Sequence, residues 1–402
     1  MRVLLSAYAC EPNRGSEPEV GWQRALHMLA FADEVWVLTR SNNQAVIEAD
    51  PLSNSDGLHF IYYDLPNWAL KLKRYSCFTR AYFILWQWGA YREAAKRHRE
   101  KPFDRVYHVT FASMQFGSFM GKLGIPFIVG PIAGGERAPF RLRKSLPIRG
   151  QVTELVRDLG IVIQRCSPLS RSAFAAADRI YVTTNDSLKL IPKTWRCKAS
   201  VHLAIAISTL PARNTKRQPQ DSPRFVYAGS LIYLKGVHLA IRALAQVIAT
   251  TPGARLTLIG DGPAERWLRT VAERYGVAHA VEFAGRVPRE QLINAFGNYT
   301  ALVFPSLHDT GGLVVLEALS QGSPVVCLDL GGPGIIVNAS CGVVVPTVDG
   351  DEHCAVTRIA NAMNFLAAMT DGESAQLSQQ AIARATQLSW SALTNNLTGS
   401  LD

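Results

Sequence analysis

Short apolar runs alternate with amphipathic stretches along most of the chain, and glycine-bearing loops separate them. Residues 1–8 and 34–39 are continuous blocks of the kind that form strands buried on both faces of a parallel sheet. Between them, residues 16–29 place apolar side chains at helical spacing, directly after Gly15. The order of strand, glycine loop, helix and strand predicts a βαβ unit.

The same order recurs in the second half and is clearest in residues 301–328. An apolar run there leads into a polar loop, and a helix starting at Leu313 is followed by a second apolar run. Residues 208–223 are polar, contain proline and show no periodicity, as expected of a linker. The sequence therefore predicts an α/β fold of two Rossmann-like domains, residues 1–207 and 224–385.

The loop and helix within residues 301–328 offer a place for an anion. N–H groups of the helical turn after Gly311 and Gly312 lack partners inside the helix and carry the positive end of its dipole. Glu317 lies about one turn inside the helix, where its carboxylate could accept sugar or ribose hydroxyls, and Asp309 lies in the loop. The alternative is that Glu317 is a solvated carboxylate and Asp309 a turn former.

Charge is unevenly distributed along the chain. Residues 1–207 hold 28 Lys and Arg against 17 Asp and Glu, whereas the remainder holds 14 against 15. Aromatic residues and cations mix in residues 70–101, which fits either a face for an anionic membrane surface or a core-facing aromatic stripe with a solvated basic back. No recognition motif for nucleic acid accompanies this charge. Four cations in residues 140–149 fit an acceptor or phosphate patch, or a solvated loop.

Several classes of protein are disfavoured. A G-x-G-x-x-G motif is missing, which argues against an NAD enzyme. The seven cysteines lack C-x-x-C spacing and fit reduced thiols of a cytosolic protein. The longest apolar run, residues 81–91, is far shorter than the roughly 20 residues of a spanning helix. Asp349 and Asp351 imitate a metal-binding pair, but a polar turn explains them better.

Motifs along nearly the whole chain resemble those of the group 1 glycosyltransferases, the retaining family with the GT-B fold. Asp309 and Glu317 match an E-x7-E signature, with aspartate in the first place. Lys235-Gly236, the G-D-G-P turn at 260–263 and the G-x-V segment at 285–287 follow in the family's order. The resemblance implies two Rossmann-like domains that face each other across a cleft, with a closing helix in residues 386–402 returning to the first.

The resemblance also assigns roles to residues. Asp309 would orient the transferred sugar, Glu317 would fix the ribose, and Lys235 would stabilise the departing diphosphate. The implied acceptor-binding residues are Glu136 and Arg137. The implied donor-binding residues are Gly15, Ser230, Gly285, Val287, Gly311, Gly312 and Leu313.

Two departures from the family pattern stand out. Ser230 occupies the place of an arginine that shares the diphosphate with Lys235, and Pro131 or Ile132 occupies the place of a donor-positioning histidine. His108 is the nearest substitute, although a buried structural histidine is the commoner case.

The implied reaction moves a sugar from a nucleoside-diphosphate donor to a glycan or lipid-linked acceptor with retention, without a cofactor or metal. The basic first half favours cell-surface polysaccharide synthesis in the cytoplasm, at the inner face of the membrane. Two alternatives stay open: a nucleotide-sugar epimerase of the same architecture, and a catalytically silent relative that binds nucleotide or membrane. The donor base, sugar and acceptor cannot be read from the chain.

Overall fold

The computed structural model describes residues 1–72, 78–164, 167–208 and 222–398. Most of the predicted linker, Tyr75 of the aromatic stretch and residues 399–402 of the predicted closing helix lie outside the described residues. The chain folds as two compact units. Unit 1 comprises Met1–Gly135, Gly160–Ile205 and Trp390–Asp402, and unit 2 comprises Glu136–Leu159 and Ala206–Ser389.

Strands and helices alternate through both units. The strands are β1 (Arg2–Ser6), β2 (Glu34–Arg40), β3 (Leu58–Tyr63), β4 (Arg105–His108), β5 (Phe127–Ile132), β6 (Arg179–Val182), β7 (Ala199–Val201), β8 (Arg224–Ala228), β9 (Arg255–Ile259), β10 (Val281–Gly285), β11 (Ala301–Phe304), β12 (Val325–Leu328) and β13 (Gly342–Val345). The helices are α1 (Ser16–Met28), α2 (Gln44–Glu48), α3 (Asn67–Leu72), α4 (Thr79–Glu100), α5 (Ile148–Gln164), α6 (Pro168–Ala176), α7 (Asn185–Leu190), α8 (Val237–Thr250), α9 (Glu265–Arg274), α10 (Arg289–Ala295), α11 (Leu313–Ser320), α12 (Pro333–Ile336), α13 (Glu352–Ala367), α14 (Asp371–Gln387) and α15 (Trp390–Thr398).

Each unit is built on one parallel sheet. Unit 1 has the strand order β3-β2-β1-β4-β5-β6-β7, and unit 2 has the order β10-β9-β8-β11-β12-β13. Both orders reverse direction beside the first strand of the sheet, which is the Rossmann arrangement. The predicted α/β fold with two Rossmann-like domains is confirmed.

The core of unit 1 is aromatic. Trp86 of α4 is fully buried, and the Tyr8 and Trp86 rings meet edge to face with centroids 4.8 Å apart. Tyr82 and Phe83 on the same helix are also buried, whereas Trp88 is exposed. Most aromatic residues of α4 therefore face the core, as the core-facing interpretation of residues 70–101 expects.

His108 ends strand β4 inside the same unit. Its side chain is fully buried, and Nδ1 lies 3.1 Å from the Ser6 hydroxyl on the neighbouring strand β1. Burial lowers the pKa of His108 to about 4. This placement fits a structural histidine that stays neutral at physiological pH.

Residues 136–159 pack with unit 2, although the sequence places them before the linker. The N–H of Ser145 donates to Oε2 of Glu352 at 3.1 Å, and Glu352 also forms an ion pair with Arg242 of α8. The Arg143 guanidinium bridges the carbonyl of Ala138 and the carboxylate of Asp158. Buried charged groups thus hold this segment in unit 2. The amphipathic periodicity of the sequence therefore does not predict which unit the segment joins.

Candidate donor site at the carboxyl edge of the second sheet

The loops that follow β8, β11 and β12 meet at one edge of the unit 2 sheet. Strands β8 and β11 are neighbours there because the strand order reverses between them, and ligands of open α/β sheets bind at such a point. The N–H of Leu307 donates to the carbonyl of Leu234 at 2.9 Å, which joins the first two loops. The N–H of Gly332 donates to the carbonyl of Asp309 at 2.8 Å, which joins the third.

Lys235 and Asp309 form an ion pair across this junction. Both side chains are largely buried, and the Lys235 ammonium lies 5.5 Å from the centre of the Phe304 ring. Oδ1 of Asp309 accepts hydrogen bonds from the N–H groups of Gly311 and Gly312 at 3.0 and 2.9 Å. The carboxylate therefore fixes both the lysine and the loop that leads into α11.

Two glycines allow the loops to approach this closely. Gly236 precedes α8 with φ 63°, and a Cβ there would strike the carbonyl oxygen of Pro305. Gly312 precedes α11 with φ 70°, and a Cβ there would lie 3.2 Å from Cδ1 of Ile336. Both residues adopt the left-handed conformation that favours glycine, so the backbone can come close to a phosphate at this edge.

Glu317 lies one turn inside α11 and is only 5% exposed at its side chain. Its Oε1 accepts a 2.6 Å hydrogen bond from Nε of Arg289, at the start of α10. Burial raises the pKa of Glu317, while the charge and hydrogen bond of Arg289 oppose that rise. The pair gives the site a carboxylate acceptor beside a half-exposed guanidinium.

The remaining donor-binding candidates of unit 2 lie on the loops after β8 and β10. The carbonyl of Ser230 accepts a hydrogen bond from the Tyr227 hydroxyl at 3.1 Å, and the Ser230 residue is exposed. The N–H of Gly260 donates to the carbonyl of Gly285 at 2.8 Å, and Val287 follows, half-buried, just before α10. These loops therefore flank the edge that carries Lys235.

His308 lies beside Asp309 in the loop after β11. Burial is the main reason that the pKa of His308 is lowered, and the charges of Arg157 and Lys235 add to it. The carboxylates of Glu136 and Glu154 act in the opposite direction. Residues from the segment 136–159 therefore lie within electrostatic range of the loop after β11.

The two acceptor-binding candidates differ in accessibility. Glu136 is buried, whereas Arg137 is exposed, with its Nε 3.9 Å from the Asp158 carboxylate. Gly15, the candidate from the first domain, precedes α1 in unit 1 with φ 68° and is not in the loop cluster of unit 2.

Of the acidic pair Asp349 and Asp351, only Asp351 caps a helix, at the start of α13. The Asp351 carboxylate accepts a hydrogen bond from the N–H of Cys354 at 3.1 Å, and the carbonyl of Asp349 accepts one from Arg358. Across residues 1–72, 78–164, 167–208 and 222–398, no group of three or more His, Cys, Asp or Glu side chains could hold a metal ion.

Residues 211–370, which include Lys235, Asp309 and Glu317, match the family described as Glycosyl transferases group 1. The chain carries a group 1 glycosyltransferase domain. A glycogen synthase of Mycobacterium tuberculosis is 38% identical over 129 residues, which are 32% of this chain and 31% of that protein. A D-inositol 3-phosphate glycosyltransferase of Acidothermus cellulolyticus is 34% identical over 190 residues, 44% of this chain and 40% of that protein. The chain thus spans less than half the length of these curated relatives.

Solved structures of similar fold cover this chain from end to end. The lipopolysaccharide outer core galactosyltransferase WaaB has a TM-score of 0.63 at 13% identity, covering 100% of this chain and 99% of that one. A sucrose-phosphate synthase of Thermosynechococcus elongatus has a TM-score of 0.62 at 18% identity, covering 100% and 98%. Anabaena HepE in complex with UDP has a TM-score of 0.61 at 15% identity, covering 100% and 99%. The GT-B fold that the motifs implied is confirmed.

Arg289 and His308 lie in the candidate site, and the sequence analysis did not name them. Arg289 carries a usable signal, because a cation in the first turn of a helix is electrostatically unfavourable unless an anion is near. His308 carries none, since its neighbours Glu136 and Glu154 come from a segment more than 150 residues earlier in the chain.

Proposed function

We propose that this chain is a retaining glycosyltransferase that moves a sugar from a nucleoside-diphosphate donor to a glycan or lipid-linked acceptor. The observation that carries the proposal is the Lys235–Asp309 pair at the reversal point of the second sheet. A buried ammonium at the mouth of a helix N-terminus suits a diphosphate group. Solved relatives of the same fold are described in complex with UDP and with UDP-glucose, which supports this class of donor.

The chemistry required of the site is mainly electrostatic. The bond from the anomeric carbon to the diphosphate oxygen breaks, and its electron pair leaves with the diphosphate. The Lys235 ammonium and the N–H groups that begin α11 stabilise that growing negative charge. The acceptor hydroxyl forms the new bond on the same face of the sugar, so the anomeric configuration is retained, and its proton passes to an oxygen of the departing diphosphate. No metal or cofactor has a part in the proposed step.

Asp309 and Glu317 take complementary roles in the proposed complex. Asp309 holds Lys235 and the loop amides before the donor binds, and orients the sugar afterwards. The carboxylate of Glu317 accepts ribose hydroxyls while Arg289 holds its Oε1. Gly285 and Val287 would contact the base through their backbone, and Gly311, Gly312 and Leu313 would contact the phosphates.

The serine at position 230 supports a second candidate, a catalytically silent relative that binds donor without turnover. Ser230 is exposed and supplies no charge for a diphosphate. Arg289 is half-exposed beside Glu317 and is the cation we propose as its substitute. Purified protein that binds donor but neither transfers nor hydrolyses it would favour the silent relative. Conversion of donor alone into an isomeric sugar would favour an epimerase.

We assign the acceptor to the region of Glu136 and the exposed Arg137. A glycan or lipid-linked acceptor in cell-surface polysaccharide synthesis suits the basic first half, and WaaB is itself described as a lipopolysaccharide outer core galactosyltransferase. Such an acceptor places the enzyme in the cytoplasm, at the inner face of the membrane.

A thermal-shift screen of the full chain against UDP-, GDP- and ADP-sugars tests the donor. A ligand that binds only the folded protein raises the melting temperature, and a concentration of about 100 times the dissociation constant contributes about 2.7 kcal/mol. We expect one base to give a clear rise and the matching nucleoside monophosphate a smaller one. The absence of a rise with every donor would overturn the proposal. NMR of the product made from the active donor then establishes whether configuration is retained.

A further inference from the structure

Helix α5 turns its apolar side toward solvent and its charged side toward the protein. The exposed apolar residues within positions 148–159 are Ile148 at 80%, Val152 at 52%, Leu155 at 67%, Val156 at 65% and Leu159 at 60%. At about 100° per residue they fill an arc of about 100° on one face of the helix. We call these five residues the docking stripe.

Contacts on the opposite face fix this orientation. Glu154 is buried and pairs with Nη1 of Arg157 at 2.5 Å, and Asp158 accepts a 2.7 Å hydrogen bond from Arg143. A Cβ added to Gly150 would lie 3.1 Å from the Tyr233 ring, so this helix face packs directly on unit 2. Rotating the helix to bury the stripe would break the ion pair between Asp158 and Arg143 and move Gly150 away from Tyr233, which makes the outward apolar face a stable property of the fold.

Positive charge predominates around the docking stripe. Arg141, Lys144 and Arg149 are exposed beside it, and Phe140 projects an aromatic ring that is 80% exposed. The carboxylates between residues 136 and 159 are those of Glu136, Glu154 and Asp158. The first two are buried, and the third is held by Arg143. The stripe is thus bordered mainly by cations, and the exposed Asp351 lies within electrostatic range of Lys144.

We propose that the docking stripe and its three cations bind this chain to an anionic phospholipid surface, with α5 lying in the plane of the interface. Apolar side chains enter the boundary of headgroups and acyl chains, and the cations meet anionic headgroups. A second copy of the chain fits less well, because a two-fold contact would bring Arg141, Lys144 and Arg149 of both copies together on a protein whose net charge is +10. The proposal holds whether or not the chain transfers a sugar.

Within the described residues, no helix is long and apolar enough to cross a bilayer, so a surface-lying helix is the mode tested. The full chain is sedimented with vesicles of phosphatidylcholine alone and with about 30% phosphatidylglycerol, at about 0.05 and 0.15 M salt. We expect binding to the anionic vesicles that weakens with salt. Amides of residues 148–164 should exchange more slowly with deuterium in the bound protein.

Two triple variants test the two components of the docking surface. Val152→Ser/Leu155→Ser/Leu159→Ser removes apolar contact, and Arg141→Gln/Lys144→Gln/Arg149→Gln removes charge. Each should weaken vesicle binding about tenfold or more. All six side chains are exposed, so the melting temperatures should stay close to that of the unchanged protein.

Matched controls lie elsewhere on the molecule. Val46→Ser/Leu52→Ser removes exposed apolar area from another part of the chain, and Arg92→Gln/Lys96→Gln/Arg99→Gln neutralises the basic side of α4. Both should leave vesicle binding within about twofold. Loss of binding in the α4 variant alone, or no binding by the unchanged protein, would overturn the proposal. A dimer that the serine variant dissociates, without vesicle binding, would do the same in favour of self-association.

Discussion

Arg289 donates a 2.6 Å hydrogen bond to Glu317, joining a guanidinium that is 52% exposed to a carboxylate that is 5% exposed. The Glu317 carboxylate is far more buried than the Arg289 guanidinium, so it loses more of its hydration on folding. Its pKa is raised for that reason, and the half-exposed arginine compensates only in part. We infer that this carboxylate is maintained for binding rather than for stability.

Replacing Glu317 by glutamine should therefore separate stability from donor binding. A raised pKa in the folded state means that the free energy of unfolding falls as pH rises above the ordinary value of 4.5, so the ionised carboxylate costs stability at pH 7.5. Glu317→Gln should melt at the same temperature as the unchanged protein or higher, yet lose most of the donor-induced rise. Glu290→Gln, on the exposed face of α10, is the control. A full donor-induced rise in Glu317→Gln would contradict the ribose role.

Substitutions at Lys235 and at Asp309 should change the affinity for the nucleoside diphosphate in opposite directions. Lys235→Met removes the ammonium and should lower kcat by about a hundredfold to a thousandfold, while also weakening binding of the free nucleoside diphosphate. Asp309→Asn keeps an oxygen for the N–H groups of Gly311 and Gly312 but frees Lys235 from its anionic partner. It should tighten binding of the nucleoside diphosphate and still lower kcat, because the sugar loses its contact.

Calorimetric titration of the diphosphate and steady-state kinetics measure both effects. Arg274→Met, an exposed cation of α9, controls for the loss of one positive charge from unit 2. If Asp309→Asn weakens diphosphate binding as Lys235→Met does, the lysine is not the group that receives the diphosphate.

The alternation of buried runs and glycine loops was enough to predict both parallel sheets, because strands buried on two faces have a recognisable composition. Strand reversal also explains why Lys235 and Asp309 meet although 74 positions separate them. The partner of Glu317 was not predicted, since α10 and α11 belong to different βα units and their contact depends on tertiary packing.

The segment 136–159 shows where periodicity misleads. A helix with apolar residues on one face ordinarily buries that face, but α5 buries Glu154 and exposes Leu155. The ion pair between Glu154 and Arg157 is local to the helix, whereas the pair between Asp158 and Arg143 depends on how the preceding loop folds back, which helical periodicity does not reveal. The segment joins unit 2 through the hydrogen bond from Ser145 to Glu352 and the packing of Gly150 on Tyr233.

Gly312 should tolerate alanine poorly for two separable reasons. The left-handed backbone alone costs about 1 kcal/mol for a residue with a side chain. The new Cβ would also lie 3.2 Å from Ile336 and 3.3 Å from Pro333, which crowds the loop that leads into α11. Gly312→Ala should thus lower the melting temperature and weaken donor binding.

Gly276 is a matched control for this substitution. It has φ 72°, close to the 70° of Gly312, but a Cβ there meets nothing within 4 Å. Gly276→Ala should show the backbone cost alone and leave donor binding unchanged. Equal losses of stability and of donor binding in both variants would mean that crowding beside α11 has no effect.

His238 gives unit 2 a weakness toward acid. It is buried in α8 with its ring centre 5.1 Å from that of Trp267, and neither ring nitrogen has a hydrogen-bond partner among the described residues. Burial lowers its pKa to about 3. The unfolded chain therefore binds a proton that the folded chain does not bind. The free energy of unfolding falls by up to about 1.4 kcal/mol per pH unit as pH drops below about 6.5.

Scanning calorimetry should show that His238→Leu raises the melting temperature more at pH 5 than at pH 7.5, whereas His279→Leu, at an exposed position, should change the melting temperature little at either pH. A gain at His238 that is the same at both pH values would show that the proton linkage lies elsewhere.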